Sequence, residues 1–197
     1  MSGMTDIFHI AQTGSYFGGK FLVAMPAMQD AQFVHSLVYL VDHSQEGAMG
    51  LIVNKPLKNH NFSRLCSYLD VDIRDPQNIP LVFGGPIEKQ RGFVLHSNDY
   101  GDAQYCKALP HGLALSATKN VITDLAQGQG PRNAIVAMGF AGWADGQLES
   151  EIARNDWLIV DADPALIFSV DHDDKWELAL KQSGIDPRLL STTAGHA

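Results

Sequence analysis

The sequence predicts a mixed α/β (α+β) fold, a single compact domain in which a mixed, partly antiparallel sheet is surrounded by helices. Two observations predict it. Short apolar runs follow one another at hairpin spacing in the first half of the chain, whereas strand-like and helix-like segments alternate in the second. At 197 residues with 45% hydrophobic content, the chain fits one domain and buries a core without disulfide or metal staples.

Residues 1–19 contain Gly14, Gly18 and Gly19 without apolar periodicity and read as a loose arm before a domain spanning 20–190. Residues 21–24 form a strand that Pro26 ends. Residues 37–41 and 49–53 are further strands, joined as a hairpin through Ser44-Gln45-Glu46-Gly47, and their near-continuous apolar character predicts cover on both faces. Phe62, Leu65, Cys66 and Leu69 recur at helical spacing. Residues 80–83 make a strand running into Gly84-Gly85-Pro86, and strand character resumes at 92–95 after a turn around Lys89-Gln90.

Residues 113–115 make another strand, followed by a helix over 118–127 with Val121, Ile122 and Leu125 on one side; Gly128 and Gly130 stop it. Residues 133–140 are the strongest buried strand. Asp145 is placed to cap a helix reaching Asn155, and residues 157–160 return as a strand. Asp163-Pro164 opens a helix with a capping side chain before proline, and Asp174 with Glu177 has the spacing of a capping box for the helix carrying Trp176 and Leu180. Residues 191–197 are small and polar and read as a disordered tail.

Charge narrows the partners. The chain carries 14 basic and 22 acidic residues, a net charge of −8, and its Lys and Arg residues are scattered as singles. Nucleic-acid affinity rests on clustered cations neutralising phosphates, so direct nucleic-acid binding is disfavoured. No apolar run approaches the ~20 residues that cross a bilayer, and no secretory signal is readable, so the expected location is the cytoplasm, without membrane contact. Cys66 and Cys106 stand forty positions apart and read as reduced thiols.

Known catalytic and cofactor patterns are mostly absent. Gly128-Gln129-Gly130 lacks a third glycine and follows a helix; no P-loop or Gly-x-Ser-x-Gly occurs; and Ser116-Ala117-Thr118-Lys119 lacks the partner motifs that make Ser-x-x-Lys catalytic. The eight histidines show no metal-ligand spacing, and His172 among Asp171, Asp173 and Asp174 reads as a solvated loop. The expectation is therefore no cofactor, no metal and no catalytic residue.

Four stretches are distinctive as a set. They are Phe21-Leu22-Val23-Ala24-Met25-Pro26 with Met28 and Asp30; His43 followed by Gly47-Ala48-Met49-Gly50-Leu51-Ile52-Val53-Asn54-Lys55-Pro56; Phe83-Gly84-Gly85-Pro86 with Arg91-Gly92-Phe93-Val94-Leu95-His96; and Gly139-Phe140-Ala141-Gly142-Trp143 with Gly146-Gln147-Leu148-Glu149, Glu151 and Ile152. In this order, over roughly residues 15–185, the chain resembles the YqgE/AlgH family, with Lys55 where arginine is common and Phe140 where tyrosine is common. The resemblance implies a bacterial cytoplasmic protein with a branched sheet surrounded by helices. It implies no established enzyme activity, and one branch is named as a transcriptional regulator of alginate production.

The residues themselves nominate one groove. Arg91 and His96 are polar residues flanking an apolar strand, while Gln147, Glu151 and Asn155 follow at four-residue spacing beside the apolar line of Leu148 and Ile152. Trp143 is either a wall of that groove or a plug of the core. The leading reading is a non-enzymatic binding or regulatory protein in which Arg91, His96, Trp143, Gln147 and Glu151 hold a small molecule or a peptide of a protein partner. One alternative is an enzyme, such as a hydrolase, using His96 or His43 with Glu151 as acid and base. The other is a transcriptional regulator.

Overall fold

The strand that organises the molecule is β8 (Ala134–Trp143), because three others pair with it. The computed structural model describes residues 16–75, 78–101 and 105–187. Besides β8 these form β1 (Lys20–Ala24), β2 (Leu37–Ser44), β3 (Gly47–Ile52), β4 (Leu81–Phe83), β5 (Ile87–Ser97), β6 (Cys106–Leu109), β7 (Leu113–Ser116) and β9 (Trp157–Asp161). The helices are α1 (Phe62–Tyr68), α2 (Lys119–Ala126), α3 (Gln147–Ala153), α4 (Pro164–Phe168) and α5 (Lys175–Gln182). Loose-arm residues 1–15 and tail residues 191–197 lie outside the described residues. Tyr16 and Gly19 donate backbone N–H groups to the carbonyls of His43 and Leu40.

The sheet runs β6-β7-β5-β8-β3-β2-β1-β9, every neighbour antiparallel, and β4 joins β8 in parallel off this path. β5 lies along one side of β8. On the other side, β4 pairs with Val136, Ala137 and Met138, and β3 with Ala141, Gly142 and Trp143. Beyond β3 the chain continues along the far side of β4, where Phe83 N–H meets the Lys55 carbonyl and Leu57 N–H the Leu81 carbonyl. β4 is thus wedged into a fork, and the sheet is branched there.

Alternation of side chains across each strand splits the apolar residues into three cores. On the inner face of the curled sheet, Phe21, Tyr39 and Leu51 meet Phe93, Leu95 and Ile135 beneath Leu166 of α4 and Leu180 of α5. α3 covers the outer face of β1–β3 through Leu148, and α1 and α2 cover the outer face of β5 and β8 through Phe62, Val121 and Leu125. The curl brings Lys107 Nζ of β6 to 3.5 Å from Asp42 Oδ2 of β2.

The hairpin of β2 and β3 forms as the sequence predicts, and Asp163 caps α4, its Oδ1 accepting from Ala165 N–H at 2.9 Å. Other local expectations are corrected. Lys89-Gln90 is not a turn between strands: it belongs to a bulge inside β5, where the register slips between Ile87 and Gly92 and Glu88 takes φ 47°. The short strand β6 has no clear signal in the sequence, since Cys106, Lys107, Ala108 and Leu109 show little apolar alternation. Gly146, with φ 66°, occupies the cap position of α3 in place of Asp145, and Asp174 makes no side-chain capping bond.

At the fork, backbones approach so closely that two glycines are required. A Cβ at Gly84 would lie 2.2 Å from the Gly139 carbonyl oxygen, and one at Gly139, with φ 74°, 2.5 Å from the Gly85 carbonyl oxygen. At Gly112, with φ 70°, a Cβ would meet nothing within 4 Å. Gly84→Ala and Gly139→Ala should each cost about 3 kcal/mol or more in urea denaturation, against about 1 kcal/mol for Gly112→Ala, which meets only the left-handed strain.

Candidate functional site

Three of the five groove residues come together. Glu151 Oε2 accepts the indole N–H groups of Trp143 and Trp157, each at 2.8 Å, and its Oε1 accepts from Gln147 Nε2 at 2.9 Å. Gln147 Oε1 in turn accepts the Ala144 N–H at 3.0 Å. The four-residue spacing of Gln147 and Glu151 is the helical juxtaposition expected. Asn155, third in that row, falls beyond the end of α3 with φ 60° and leaves the line. Trp143 is 6% exposed and meets Trp157 edge-on at 5.9 Å, so it plugs the core under α3. The cluster works as a clamp: one carboxylate ties α3 to the ends of β8 and β9.

Arg91 and His96 lie elsewhere, which corrects the single shared groove. β5 and β8 are antiparallel, with His96 opposite Ala134, and Trp143 lies nine steps along the strand from Ala134, about 30 Å at ~3.3 Å per residue. His96 is fully buried on the α1–α2 side. Arg91 sits in the β5 bulge, with Nη1 3.1 Å from Glu88 Oε2 and its guanidinium 5.2 Å from the Phe93 ring centre. Among the described residues, the depression beside it, about 740 Å³, is lined by Glu88, Lys89, Gln90 and Arg91, all from the bulged start of β5.

Of the acid–base candidates, His43 faces a different carboxylate. His43 Nε2 meets Glu149 Oε1 at 2.9 Å, and its ring lies between Tyr16 and Phe17 at 5.3 and 5.2 Å. Glu151 has both oxygens occupied by neutral donors. Among the described residues no three His, Cys, Asp or Glu side chains converge as metal ligands.

A walled cavity exists where the sequence reading did not place one. Residues 56–57, 60–61, 78–81 and 168–172 enclose a cleft of about 400 Å³ at the open end of the β3–β4 fork. Buried Asn54 sets one wall by accepting the Leu37 N–H and donating to the His35 carbonyl, both at 2.8 Å, which fixes the chain entering Pro56. Lys175 sets the other. It is 1% exposed, and its Nζ donates to the carbonyls of Ile167 at 2.6 Å and Val53 at 3.1 Å, stitching α5 and the end of α4 to the exit of β3. His172, on the cleft wall, brings Nδ1 to 3.3 Å from the same Val53 carbonyl, so Nδ1 carries the proton and Nε2 remains an acceptor.

Burial pushes the Lys175 ammonium down to about 8, with Asp171 pulling weakly the other way. Burial and the Lys175 charge hold His172 below the ordinary histidine range. Sequence reading missed Lys175 because a lysine beside an acidic run resembles a solvated helix end. The available signal was its place four residues before Ala179, on the apolar line of α5.

Two measurements follow from this geometry. Glu151→Ala leaves two indole N–H groups without their acceptor; it should cost about 2–3 kcal/mol and shift tryptophan emission to the red. For Lys175, the unfolded chain keeps its proton up to 10.5 while the folded chain releases it near 8, so the unfolded state binds more protons between these values. Stability should therefore rise from pH 8 toward pH 9.5 in urea denaturation, and Lys175→Met should flatten that rise.

Comparison with known proteins agrees with the family resemblance. The AlgH-like family pattern, DUF179, matches residues 21–188. A UPF0301 protein of Afipia carboxidovorans is 46% identical over 191 residues, which span 93% of this chain and 91% of that protein. The solution structure of the AlgH protein from Pseudomonas aeruginosa is 37% identical, with a TM-score of 0.75 over 95% of this chain and 99% of that one. A crystal structure of a Corynebacterium diphtheriae protein, 21% identical, shares the fold with a TM-score of 0.70 over 96% of this chain and 100% of its own. The chain belongs to the AlgH-like family.

Proposed function

We propose that this chain is a non-enzymatic binding protein of the cytoplasm that takes a small molecule or a short peptide segment in the cleft at the β3–β4 fork and acts through that binding as a regulator. The observation that carries this reading is the convergence of four separate segments on one cavity of about 400 Å³. That volume lies in the range of small-molecule sites, which combine apolar walls with a few polar groups. Here Leu57, Ile79 and Phe168 supply apolar surface, and His60, Asn78 and His172 supply polar atoms. The walls are braced from behind by Asn54 and Lys175, so a ligand meets a preformed surface and little ordering entropy opposes binding.

Binding without catalysis fits the state of the carboxylate that an acid–base mechanism would call on, since Glu151 already accepts three hydrogen bonds from Trp143, Trp157 and Gln147. The net charge of −8, with no cluster of cations, points away from a nucleic-acid backbone as the ligand. A regulatory role on this reading is exercised through a small molecule or protein partner.

The test is a library of small metabolite-like fragments and dipeptides, followed by amide chemical shifts of the full chain. Shifts should gather on Leu57, Ile79, Val170 and His172, and Ile79→Trp, which fills the cleft, should abolish them while leaving the melting temperature within a few degrees. Shifts that gather elsewhere, or that survive Ile79→Trp, would overturn the assignment.

A further inference from the structure

A buried polar chain runs under β5, β7 and β6, away from the cleft. Cys106 stands directly opposite Ser116 across β6 and β7, with Sγ 2.9 Å from Oγ. Ser116 Oγ is 2.9 Å from His96 Nε2, and His96 Nδ1 is 2.8 Å from the Ser97 carbonyl oxygen. A carbonyl only accepts, so Nδ1 must carry the ring proton. Burial holds the imidazole below the ordinary histidine range, which leaves it neutral near pH 7 with Nε2 as an acceptor. The single Ser116 O–H is therefore committed to Nε2, and the serine lone pairs take the Cys106 S–H. Geometry thus fixes the direction of all three hydrogens, from thiol to hydroxyl to ring.

Only the thiol end of this chain reaches solvent. His96 is 0% and Ser116 1% exposed, whereas Cys106 is half-buried. The Gly101 backbone lies close against the thiol, where only a glycine fits: a Cβ there, at φ 88°, would lie 2.3 Å from Sγ. Burial opposes a positive charge on His96, and the groups facing it offset that in part. The Asp99 carboxylate favours the protonated ring, and Tyr100, its hydroxyl donated to Asp124, lays its ring against the imidazole at 5.7 Å. Cys66 is different: it is fully buried in the α1–α2 core, and burial pushes its thiol up.

We propose that Cys106 is a nucleophilic modification site for small, soft electrophiles of the α,β-unsaturated carbonyl class, with Ser116 and His96 as positioning residues that carry the thiol proton inward. In the step, the proton passes through Ser116 to His96 Nε2, and the thiolate sulfur forms a bond to the β-carbon of the electrophile. The C=C electron pair moves to the α-carbon, which takes a proton from water, and His96 returns its proton to water. The adduct contains every atom of both reactants, and nothing is oxidised or reduced.

N-ethylmaleimide, an electrophile of this class, tests the proposal on the full chain, with adducts at Cys106 and Cys66 quantified separately by peptide mass spectrometry from pH 6 to 10. At pH 7, Cys106 should react about tenfold more slowly in Ser116→Ala than in the wild type, and the two rates should converge by pH 10, where hydroxide forms the thiolate unaided. Equal rates at pH 7, or an offset that persists at every pH as a mere packing change would give, overturn the proposal. Reaction at Cys66 reports any unfolded variant. Should both Ser116→Ala and His96→Gln unfold, the wild type decides: Cys106 should react faster at pH 7 in the native chain than in urea, and a native rate at or below the urea rate overturns the relay.

Discussion

Everything in this molecule hangs on the contact of bare backbone with bare backbone at the β3–β4 fork. β8 has only two edges, yet three strands claim it, and this is possible because β4 takes one stretch of an edge and β3 the next. The handover requires the chain at Gly84 and Gly85 to cross close against Gly139 and Phe140, at separations that leave no room for a side chain. A larger residue there would push β4 out of the wedge. The cost would not be one lost contact, because β4 also holds the Lys55 and Leu57 backbone that forms a wall of the cleft.

The fork also explains why polar side chains are distributed as they are. The inner face carries one apolar core, and the outer face carries two, one under α3 and one under α1 and α2. Polar groups caught in these layers must find partners inside. Glu151 answers two indoles and an amide under α3, Asn54 answers the backbone at the exit of β3, and Lys175 answers two carbonyls between α4 and α5. Each of these residues joins a helix or loop to a strand end. Buried polarity in this fold therefore does the work of register, fixing where each covering segment sits along the sheet.

What could be read in the sequence follows the range of the interactions. Hairpin β2–β3, the cap at Asp163 and the pairing of Gln147 with Glu151 depend on residues within a few positions of one another, and local pattern captures them. The bulge in β5 was unreadable because Lys89 and Gln90 look like a turn, and only pairing with β8 shows that the strand continues past them. The separation of His96 from Trp143 is likewise a matter of register. Both touch β8, and nothing near either residue states that one meets its first residue and the other is its last. The cleft was hidden for the same reason, since its walls come from segments more than a hundred positions apart.

Register alone leaves one difference among the buried polar groups to be explained, and it separates structural from chemical roles. Glu151 is tied to the core: its Oε2 faces two indole N–H groups anchored there, so moving it would strand both, while its Oε1 takes the amide of exposed Gln147. Lys175 is nearly closed, since two of its three N–H donors are held by carbonyls, but burial lowers its proton affinity to about 8. The chain from Cys106 to His96 is open at one end, and its hydrogens are ordered in a single direction toward an imidazole that burial keeps neutral. Chemistry needs such an open end, because a hydrogen-bond network satisfied on every side has no capacity left for a reactant. By that criterion the tryptophan-rich cluster, although it gathers most of the residues that looked functional in sequence, belongs to the scaffold, while reactivity belongs to the thiol that the sheet leaves half uncovered.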